Sequence, residues 1–236
     1  MKAIGIVGFK RSGKTTLGVR LARELSGRGH RIAVLKHTSG DIALPETDTA
    51  KYRPYAPWVA AIAPGVTEIL LAGPRKLADV LVTCDADLVL VEGFKQEKTL
   101  PKIVCLRDAA DKAKLFDGLQ LFTAGLQADV GDIHILDDED IKRVAPTLME
   151  RGFLLPALDC GLCGHESCYA LAKQIVKGAA SWERCLECLP TLRITCSGGR
   201  LALDVGTAVT LRARIQAVLS SLKGLPQGAI EIEIPE

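Results

Sequence analysis

The fold of this chain is decided by the stretch Ala3-Ile4-Gly5-Ile6-Val7-Gly8-Phe9-Lys10-Arg11-Ser12-Gly13-Lys14-Thr15. Its first five residues are a short apolar run, which is typical of a strand buried in a parallel sheet. The remainder matches the phosphate-binding pattern G-x-x-x-x-G-K-[ST] in full. We expect Gly8 and Gly13 to let backbone N–H groups turn towards a phosphate, Lys14 to reach the β and γ phosphates, and the Thr15 hydroxyl to hold Mg²⁺. The alternative is a glycine-rich turn that binds nothing.

Strand and helix patterns alternate outward from this loop. Leu17, Leu21 and Leu25 recur every four residues and predict an amphipathic helix directly after it. Short apolar runs predict further strands at 32–35, 59–63, 68–71, 88–91, 103–106, 119–123 and 133–136, and helices fit at 75–82 and 138–151. Alternation of this kind implies a parallel sheet covered by helices. The predicted fold class is therefore α/β, a P-loop NTPase domain with a mostly parallel sheet.

An acidic partner for the metal is expected where a neighbouring strand ends. Four apolar residues precede Glu92, so its carboxylate should lie at the carboxyl edge of the sheet, beside the phosphate loop. Glu92 would hold a magnesium-bound water or orient an attacking water. Lys14 and Glu92 are the predicted catalytic residues, and Thr15 and Glu92 the predicted magnesium ligands. His37 follows the second strand at the same edge and is a candidate nucleotide contact. An acid or a histidine that is merely solvated is the alternative for each.

Six of the eight cysteines lie between residues 160 and 196, and four of them form the pattern C-x2-C-x4-C-x16-C at Cys160, Cys163, Cys168 and Cys185. Glycines between the first three allow tight turns, and a helix that begins at Cys168 directs its positive N-terminal end at the thiolates. The chain then returns Cys185, so four thiolates around a [4Fe–4S] cluster is the simplest arrangement. The alternative is a zinc site that pairs Cys160 and Cys163 with Cys185 and Cys188.

These patterns divide the chain into three parts. Residues 1–154 form the predicted P-loop NTP-binding domain, and residues 155–190 form the predicted four-cysteine iron–sulfur segment. Residues 191–236 predict a small α+β cap, with a hairpin around Ser197-Gly198-Gly199, a helix at 211–222 and a strand at 229–234. The fold class thus includes a small C-terminal iron–sulfur α+β module.

The first 150 residues resemble a known family. The segments GFKRSGKTT, LKHTSGD, DTAKYR and LVLVEGFKQEKTLPKIVCLR are similar to the molybdopterin-guanine dinucleotide biosynthesis adaptor family, MobB. This resemblance implies a GTP-binding P-loop protein that assists maturation of a molybdenum or tungsten cofactor. By position it implies an acidic strand end at Glu92 and contacts to nucleotide or pterin from Asp48 and Arg53. It implies nucleotide contacts from Gly8, Ser12, Gly13, Lys14, Thr15 and Thr16.

A second resemblance covers the cysteine segment. CGLCGHESCYALAKQIVKGAASWERC is similar to the four-cysteine module of the Rnf B subunit and of corrinoid iron–sulfur proteins. That module carries a [4Fe–4S] cluster, and the resemblance favours iron–sulfur over zinc and Cys185 over Cys188 as the fourth ligand. Cys84 and Cys105 are most simply small core residues.

Charge and hydropathy exclude several classes of protein. Lys plus Arg total 30 against 28 for Asp plus Glu, a formal charge of +2, which gives no reason to expect a nucleic acid or a membrane surface as partner. No apolar run approaches the ~18 residues of a membrane-spanning helix. The start of the chain has no signal-peptide pattern, so a cytoplasmic protein is expected.

The leading functional hypothesis is an NTP-binding protein, GTP favoured over ATP, that carries a [4Fe–4S] cluster and assists molybdopterin dinucleotide cofactor biosynthesis with a partner protein. A homodimer is the candidate assembly. Any NTPase activity should be weak or stimulated by that partner, since the sequence shows no obvious arginine finger in cis. Arg11 in the loop is the nearest candidate. One alternative is an ATPase for electron transfer or metal insertion, gated by its nucleotide. Another is a zinc-binding adaptor that does not hydrolyse nucleotide.

Overall fold

The computed structural model describes residues 2–38, 51–73, 75, 77–81, 84–185, 195–196, 199–200 and 215. Its centre is a six-stranded sheet with the strand order β2-β5-β1-β6-β7-β8, in which every neighbouring pair is parallel. These strands are β1 (Ala3–Gly8), β2 (Ile32–Lys36), β5 (Leu88–Glu92), β6 (Lys102–Leu106), β7 (Gln120–Gly125) and β8 (Ile133–His134). The predicted α/β class with a mostly parallel sheet is confirmed.

One face of the sheet packs against two long helices, α1 (Lys14–Gly27) and α4 (Asp138–Arg151). Leu17, Leu21 and Leu25 of α1 are fully buried, as their four-residue spacing predicts. They meet Ile4 and Ile6 of β1 in the main core. Because β1, β5 and β6 are covered on both faces, their sequences are apolar almost throughout.

The other face is covered by two shorter helices, α2 (Leu77–Leu81) and α3 (Asp111–Leu115). Leu77 and Leu81 pack against β1 and β5, and Leu115 packs against Val7 and Val104. Helix α3 was not predicted from the sequence, because five residues are too few for an apolar stripe to show a period.

Strands β3 (Trp58–Ala63) and β4 (Val66–Leu71) do not join the central sheet. They pair with each other in an antiparallel hairpin, with Ala63 opposite Val66. The sequence predicted both strands but placed them in the alternating βα pattern, and that placement is wrong. Two residues, Pro64 and Gly65, connect them, whereas a parallel crossover needs a dozen or more.

The cysteine segment contains helix α5 (Cys168–Val176) and a 3₁₀ turn (Trp182–Arg184). Leu171 and Ala172 of α5 are fully buried and pack against Leu119, Phe153 and Leu155. A backbone hydrogen bond from Leu155 N to Thr99 O, 2.9 Å, fixes the chain where it leaves the α/β layers.

The chain forms two compact units, Met1–Cys188 and Leu189–Glu236. In the second unit, the described residues form a short antiparallel ladder of β9 (Thr195–Cys196) and β10 (Gly199–Arg200), which is the core of the predicted hairpin. The predicted helix, apart from Ile215, and the last predicted strand lie outside the described residues. None of the helices within the described part of the chain is long and apolar enough to cross a membrane.

Candidate nucleotide and cysteine sites

The phosphate loop leaves β1 at the carboxyl edge of the sheet and enters α1. Gly8 has no room for a side chain, since a Cβ there would lie 2.4 Å from Ser12 Oγ and 2.5 Å from Cys105 O. Gly13 has a φ of 84°, a left-handed conformation that favours glycine, and its Cβ would meet Ile135 at 2.7 Å. Both glycines of the motif are therefore required by the backbone path itself, and the loop can curl tightly around an anion.

As far as the described residues show, Ser12 Oγ and the first N–H groups of α1 are available to a ligand. Ser12 Oγ is buried and makes no hydrogen bond among the described residues. Helix α1 has no side-chain cap and no acidic residue in its first turn, so its first N–H groups are free for an anion. Lys14 Nζ donates to Phe9 O at 2.6 Å, which holds the ammonium across the loop. Burial lowers the pKa of Lys14, and the nearby Lys95 and Lys36 lower it further.

Thr15 and Glu92, the two expected magnesium ligands, meet across the edge of the sheet. Thr15 Oγ1 donates to Glu92 Oε1 at 2.8 Å. The Glu92 side chain is only 12% exposed, and Lys36 Nζ forms an ion pair with it at 3.2 Å. Parallel register explains the meeting, because Glu92 pairs with Ile6 of β1 and Lys36 of β2. A hydroxyl and a carboxylate are oxygen ligands of the kind that Mg²⁺ takes.

Two further cations lie against the loop and were not among the predicted site residues. Lys95 Nζ sits 4.3 Å from the centroid of the Phe9 ring, and the Arg107 guanidinium sits 4.7 Å from it. Asp111 accepts from Arg107 Nε at 2.9 Å and from Nη2 at 2.7 Å. These hydrogen bonds lower the pKa of Asp111 to about 2. The sequence could have predicted both cations from their position just after β5 and β6, because the phosphate loop leaves β1 at the same edge of the sheet.

The other predicted nucleotide contacts are placed less closely. His37 is exposed and its ring lies 4.5 Å from that of Phe94, while its backbone N donates to Glu92 O at 2.9 Å. Arg11 is exposed in the loop with a φ of 63°, and Thr16 is exposed in the first turn of α1. Arg53 is exposed in the turn before β3, and Asp48 lies outside the described residues.

Three of the four predicted cluster ligands lie in one apolar cluster. Cys168 and Cys185 are buried in it, and Cys163 packs against it partly buried. Cys160 is exposed. Cys168 begins α5, where Asp159 Oδ1 accepts from its backbone N at 2.6 Å. Burial raises the pKa of the Cys168 thiol. Gly161 and Gly164 both have left-handed φ, 72° and 81°, as expected for tight turns between the cysteines.

The cysteine segment has the side chains that a metal cluster needs, but those that the structure describes do not lie close enough together to hold a metal ion. Cysteine thiols next to a helix N-terminus are the type of donor that iron–sulfur chemistry uses. Within the described residues, however, no three Cys, His, Asp or Glu side chains are close enough to hold a metal ion. A four-thiolate site therefore requires the cysteine side chains to come closer together than they lie here. Cys188, the alternative fourth ligand, lies outside the described residues.

A buried ion pair that the sequence did not reveal lies between the two sites. Lys102 of β6 is 1% exposed, and its Nζ contacts Asp117 Oδ2 at 2.6 Å and Lys95 O at 3.1 Å. Lys98 Nζ also contacts Asp117, at 2.8 Å. On the other side, Tyr169 of α5 donates from its hydroxyl to Asp117 O at 2.5 Å. The loop after β5 and the cysteine helix thus share one polar anchor.

Comparison with known families matches both parts of the chain. Residues 3–124, more than half of the chain, match the family described as "Molybdopterin guanine dinucleotide synthesis protein B", MobB. Residues 155–186 match the family described as "Putative Fe-S cluster". Both family resemblances expected from the sequence are thereby supported.

Relatives extend the likeness along the chain. A protein of Methanocaldococcus jannaschii named "Putative molybdopterin-guanine dinucleotide biosynthesis adapter protein" is 28% identical over 243 aligned positions, which cover 99% of this chain and 97% of that protein. The molybdopterin-guanine dinucleotide biosynthesis adapter protein of Escherichia coli is 29% identical over 62% of this chain and 91% of its own length. The crystal structure of Bacillus subtilis MobB has the same fold, with a TM-score of 0.51 at 23% identity over 62% of this chain and 97% of that one. By its family match and its fold, this chain belongs to the MobB family.

Proposed function

We propose that this protein binds GTP with Mg²⁺ and acts as an adapter in molybdopterin-guanine dinucleotide biosynthesis. We also propose that it carries a [4Fe–4S] cluster on Cys160, Cys163, Cys168 and Cys185. The observation that carries the proposal is the phosphate loop, in which Ser12 Oγ is buried without a partner while Thr15 and Glu92 meet at 2.8 Å. A loop built only as a turn would have no reason to leave a buried hydroxyl unsatisfied.

The choice of GTP over ATP rests on the relatives. The M. jannaschii and E. coli proteins are named for molybdopterin-guanine dinucleotide biosynthesis. The guanine of that product must be supplied by a guanine nucleotide, and an adapter with a phosphate loop is suited to bind it. The same names imply a partner protein, since an adapter acts on or with another component of the pathway.

Hydrolysis by the isolated chain should be slow. In the proposed site Lys14 neutralises phosphate charge, Thr15 and Glu92 hold the metal, and Glu92 orients water. The guanidinium of Arg107, which lies against Phe9, is engaged by Asp111, and Arg11 points from an exposed loop position. Arg107 is therefore not a free arginine finger, and a partner that supplies one should raise the rate.

The proposed cluster is supported by the donor set and by the match of residues 155–186. When bound, a [4Fe–4S] cluster supplies one-electron redox chemistry or a covalent brace for the segment. The chain itself supplies the apolar surroundings of Cys168 and Cys185 and the N-terminus of α5. Zinc in place of iron would support the alternative of a zinc-binding adaptor.

Anaerobic purification, followed by assay of iron, sulfide, zinc and bound nucleotide, tests both parts of the proposal. We expect iron and sulfide in equal amounts and guanine nucleotide on the protein.

Lys14→Ala should abolish GTP binding in calorimetry without changing the thermal midpoint of unfolding, because the Lys14 ammonium contacts the phosphates and its aliphatic stem contributes little packing. Lys114→Ala, an exposed lysine of α3, is the matched control. Unchanged affinity in the Lys14 variant would remove the phosphate-loop proposal.

We further propose that the protein is a homodimer. The hairpin of β3 and β4 exposes several large apolar side chains, among them Trp58 at 59%, Ile62 at 85% and Val66 at 68%. An isolated two-stranded hairpin is marginally stable in water, and a second copy of the hairpin would cover this surface. Light scattering should give twice the chain mass for the wild type and the monomer mass for Ile62→Lys. A monomeric wild type would contradict the proposal.

A further inference from the structure

We propose that Lys95 recognises the terminal phosphate of the bound nucleotide and so makes the protein prefer a nucleoside triphosphate over a diphosphate. This inference rests on the nucleotide site proposed above. Neither the phosphate-binding pattern nor the acidic strand end includes Lys95, which follows Glu92 by three residues.

The position of Lys95 points to the end of the phosphate chain. Its ammonium lies 4.3 Å from the ring of Phe9. The backbone carbonyl of Phe9 accepts a hydrogen bond from Lys14 Nζ at 2.6 Å. Lys14 is the residue that reaches the β and γ phosphates in this motif, and both lysines contact the same residue of the loop.

The charge of Lys95 is not balanced within the site. Among the described residues no carboxylate forms an ion pair with Lys95. The other two cations near the loop are paired, Lys36 with Glu92 and Arg107 with Asp111. The charge of Lys95 is close enough to Lys14 to lower the pKa of that lysine. Holding two ammonium groups close together costs free energy in the absence of an anion. A terminal phosphate between them would remove that repulsion, because its extra charge is what a diphosphate lacks.

The backbone that carries Lys95 is fixed. The carbonyl of Lys95 accepts from the buried Lys102 Nζ at 3.1 Å. Two residues later, Glu97 N donates to Phe94 O at 2.9 Å and Glu97 Oε1 accepts from Thr99 N at 3.1 Å. The exposed ammonium therefore extends from a loop whose backbone is held by hydrogen bonds. The free-energy cost of a contact to phosphate would be only that of ordering the Lys95 side chain.

Calorimetric titration of the full chain with GDP and with GMP-PNP, the imido analogue of GTP, tests the inference. Lys95→Ala should weaken binding of GMP-PNP by about tenfold or more, the typical effect of one charge-assisted hydrogen bond, and leave GDP binding nearly unchanged. Lys95→Arg should restore most of the preference for the triphosphate, because it keeps the charge and the contact with Phe9. Lys114→Ala is the control, since Lys114 is exposed on α3.

The outcomes separate this inference from the proposed function. An equal loss for GDP and GMP-PNP in Lys95→Ala would overturn the role of Lys95 in recognising the terminal phosphate, while leaving the nucleotide site in place. A wild type that binds both nucleotides equally would do the same. A wild type that binds neither would overturn the nucleotide function itself.

Discussion

Glu92 is the residue on which the charge balance of the candidate nucleotide site depends. Its buried carboxylate accepts a hydrogen bond from Thr15 and forms an ion pair with Lys36. Its charge also acts to raise the pKa of Lys14, against the lowering effect of burial. A carboxylate with so little exposure is retained only where cations or a metal compensate its desolvation. Its neighbours supply that compensation in the absence of metal, and Mg²⁺ would take over part of it.

Glu92→Gln should preserve nucleotide binding in the absence of Mg²⁺ and remove the increase in affinity that Mg²⁺ gives the wild type. Glutamine keeps the shape of the side chain but not the charge that attracts the metal. Any measurable hydrolysis should fall for the same reason. Titrations of GDP with and without Mg²⁺ measure the effect. Glu139→Gln, an exposed acid of α4, serves as control. A full Mg²⁺ effect in the Glu92 variant would place the metal on another acid.

At the scale of secondary-structure elements, β6 and α5 are joined through one aspartate. Asp117 accepts from Lys102 in β6 and Lys98 before it, and its carbonyl accepts from Tyr169 in α5. Burial acts to raise the pKa of Asp117, but the hydrogen bonds from the two lysines outweigh it, so the pKa is lowered. Burial also lowers the pKa of Lys102. Because the Lys102 ammonium is buried and paired with the largely buried Asp117 carboxylate, the protein should be sensitive to the loss of either partner.

Asp117→Asn should destabilise the protein by about 3 kcal/mol at neutral pH, because it leaves the buried Lys102 ammonium without its counter-charge. Since the folded pKa of Asp117 lies below its unfolded value of 3.8, its contribution is present above that pH and lost as the pH falls through the folded pKa. The variant should therefore lose less stability than the wild type on acidification below about pH 4. Denaturant melts at several pH values measure both effects.

Asp138→Asn is the matched control for that series, since Asp138 pairs with Arg20 but its side chain is 68% exposed. Exposed ion pairs contribute little, so its midpoint should barely move at any pH. Equal effects of the two substitutions would show that the Lys102–Asp117 pair is no more important than a surface contact.

The sequence predicted elements well where a local pattern decides them and failed where distant residues do. The spacing of Leu17, Leu21 and Leu25 and the apolar run before Glu92 both gave the observed burial. By contrast, Lys102 lies just before the strand predicted at 103–106, and its burial was not predicted because only folding brings its partner Asp117 close to it. Lys95 was missed for the same reason, since nothing local connects it with Phe9.

At the scale of the whole molecule, the described part of the chain has separate apolar clusters for the two candidate sites. The three clusters that line the sheet contain no residue beyond Leu154. The fourth combines Leu119, Phe153 and Leu155 with the cysteine segment. Packing at the cysteines therefore reaches the sheet through few residues, and no residue of the phosphate loop belongs to that cluster. Loss of the proposed metal should disturb one site and spare the other.

Serine substitution at the fourth thiol tests this separation together with the ligand set. Cys185→Ser should lose iron and the absorbance near ~400 nm in anaerobically purified full-length protein, because Cys185 is buried in the same apolar cluster as Cys168. Its affinity for GDP should stay at the wild-type value, since no cluster under the phosphate loop includes it. Cys188→Ser is the control and should keep both properties. Loss of iron in Cys188→Ser with retention in Cys185→Ser would show that Cys188, not Cys185, is the fourth ligand. Retention of metal as zinc in Cys168→Ser would support paired zinc ligands instead, and a loss of GDP binding together with iron would show that the two sites are coupled.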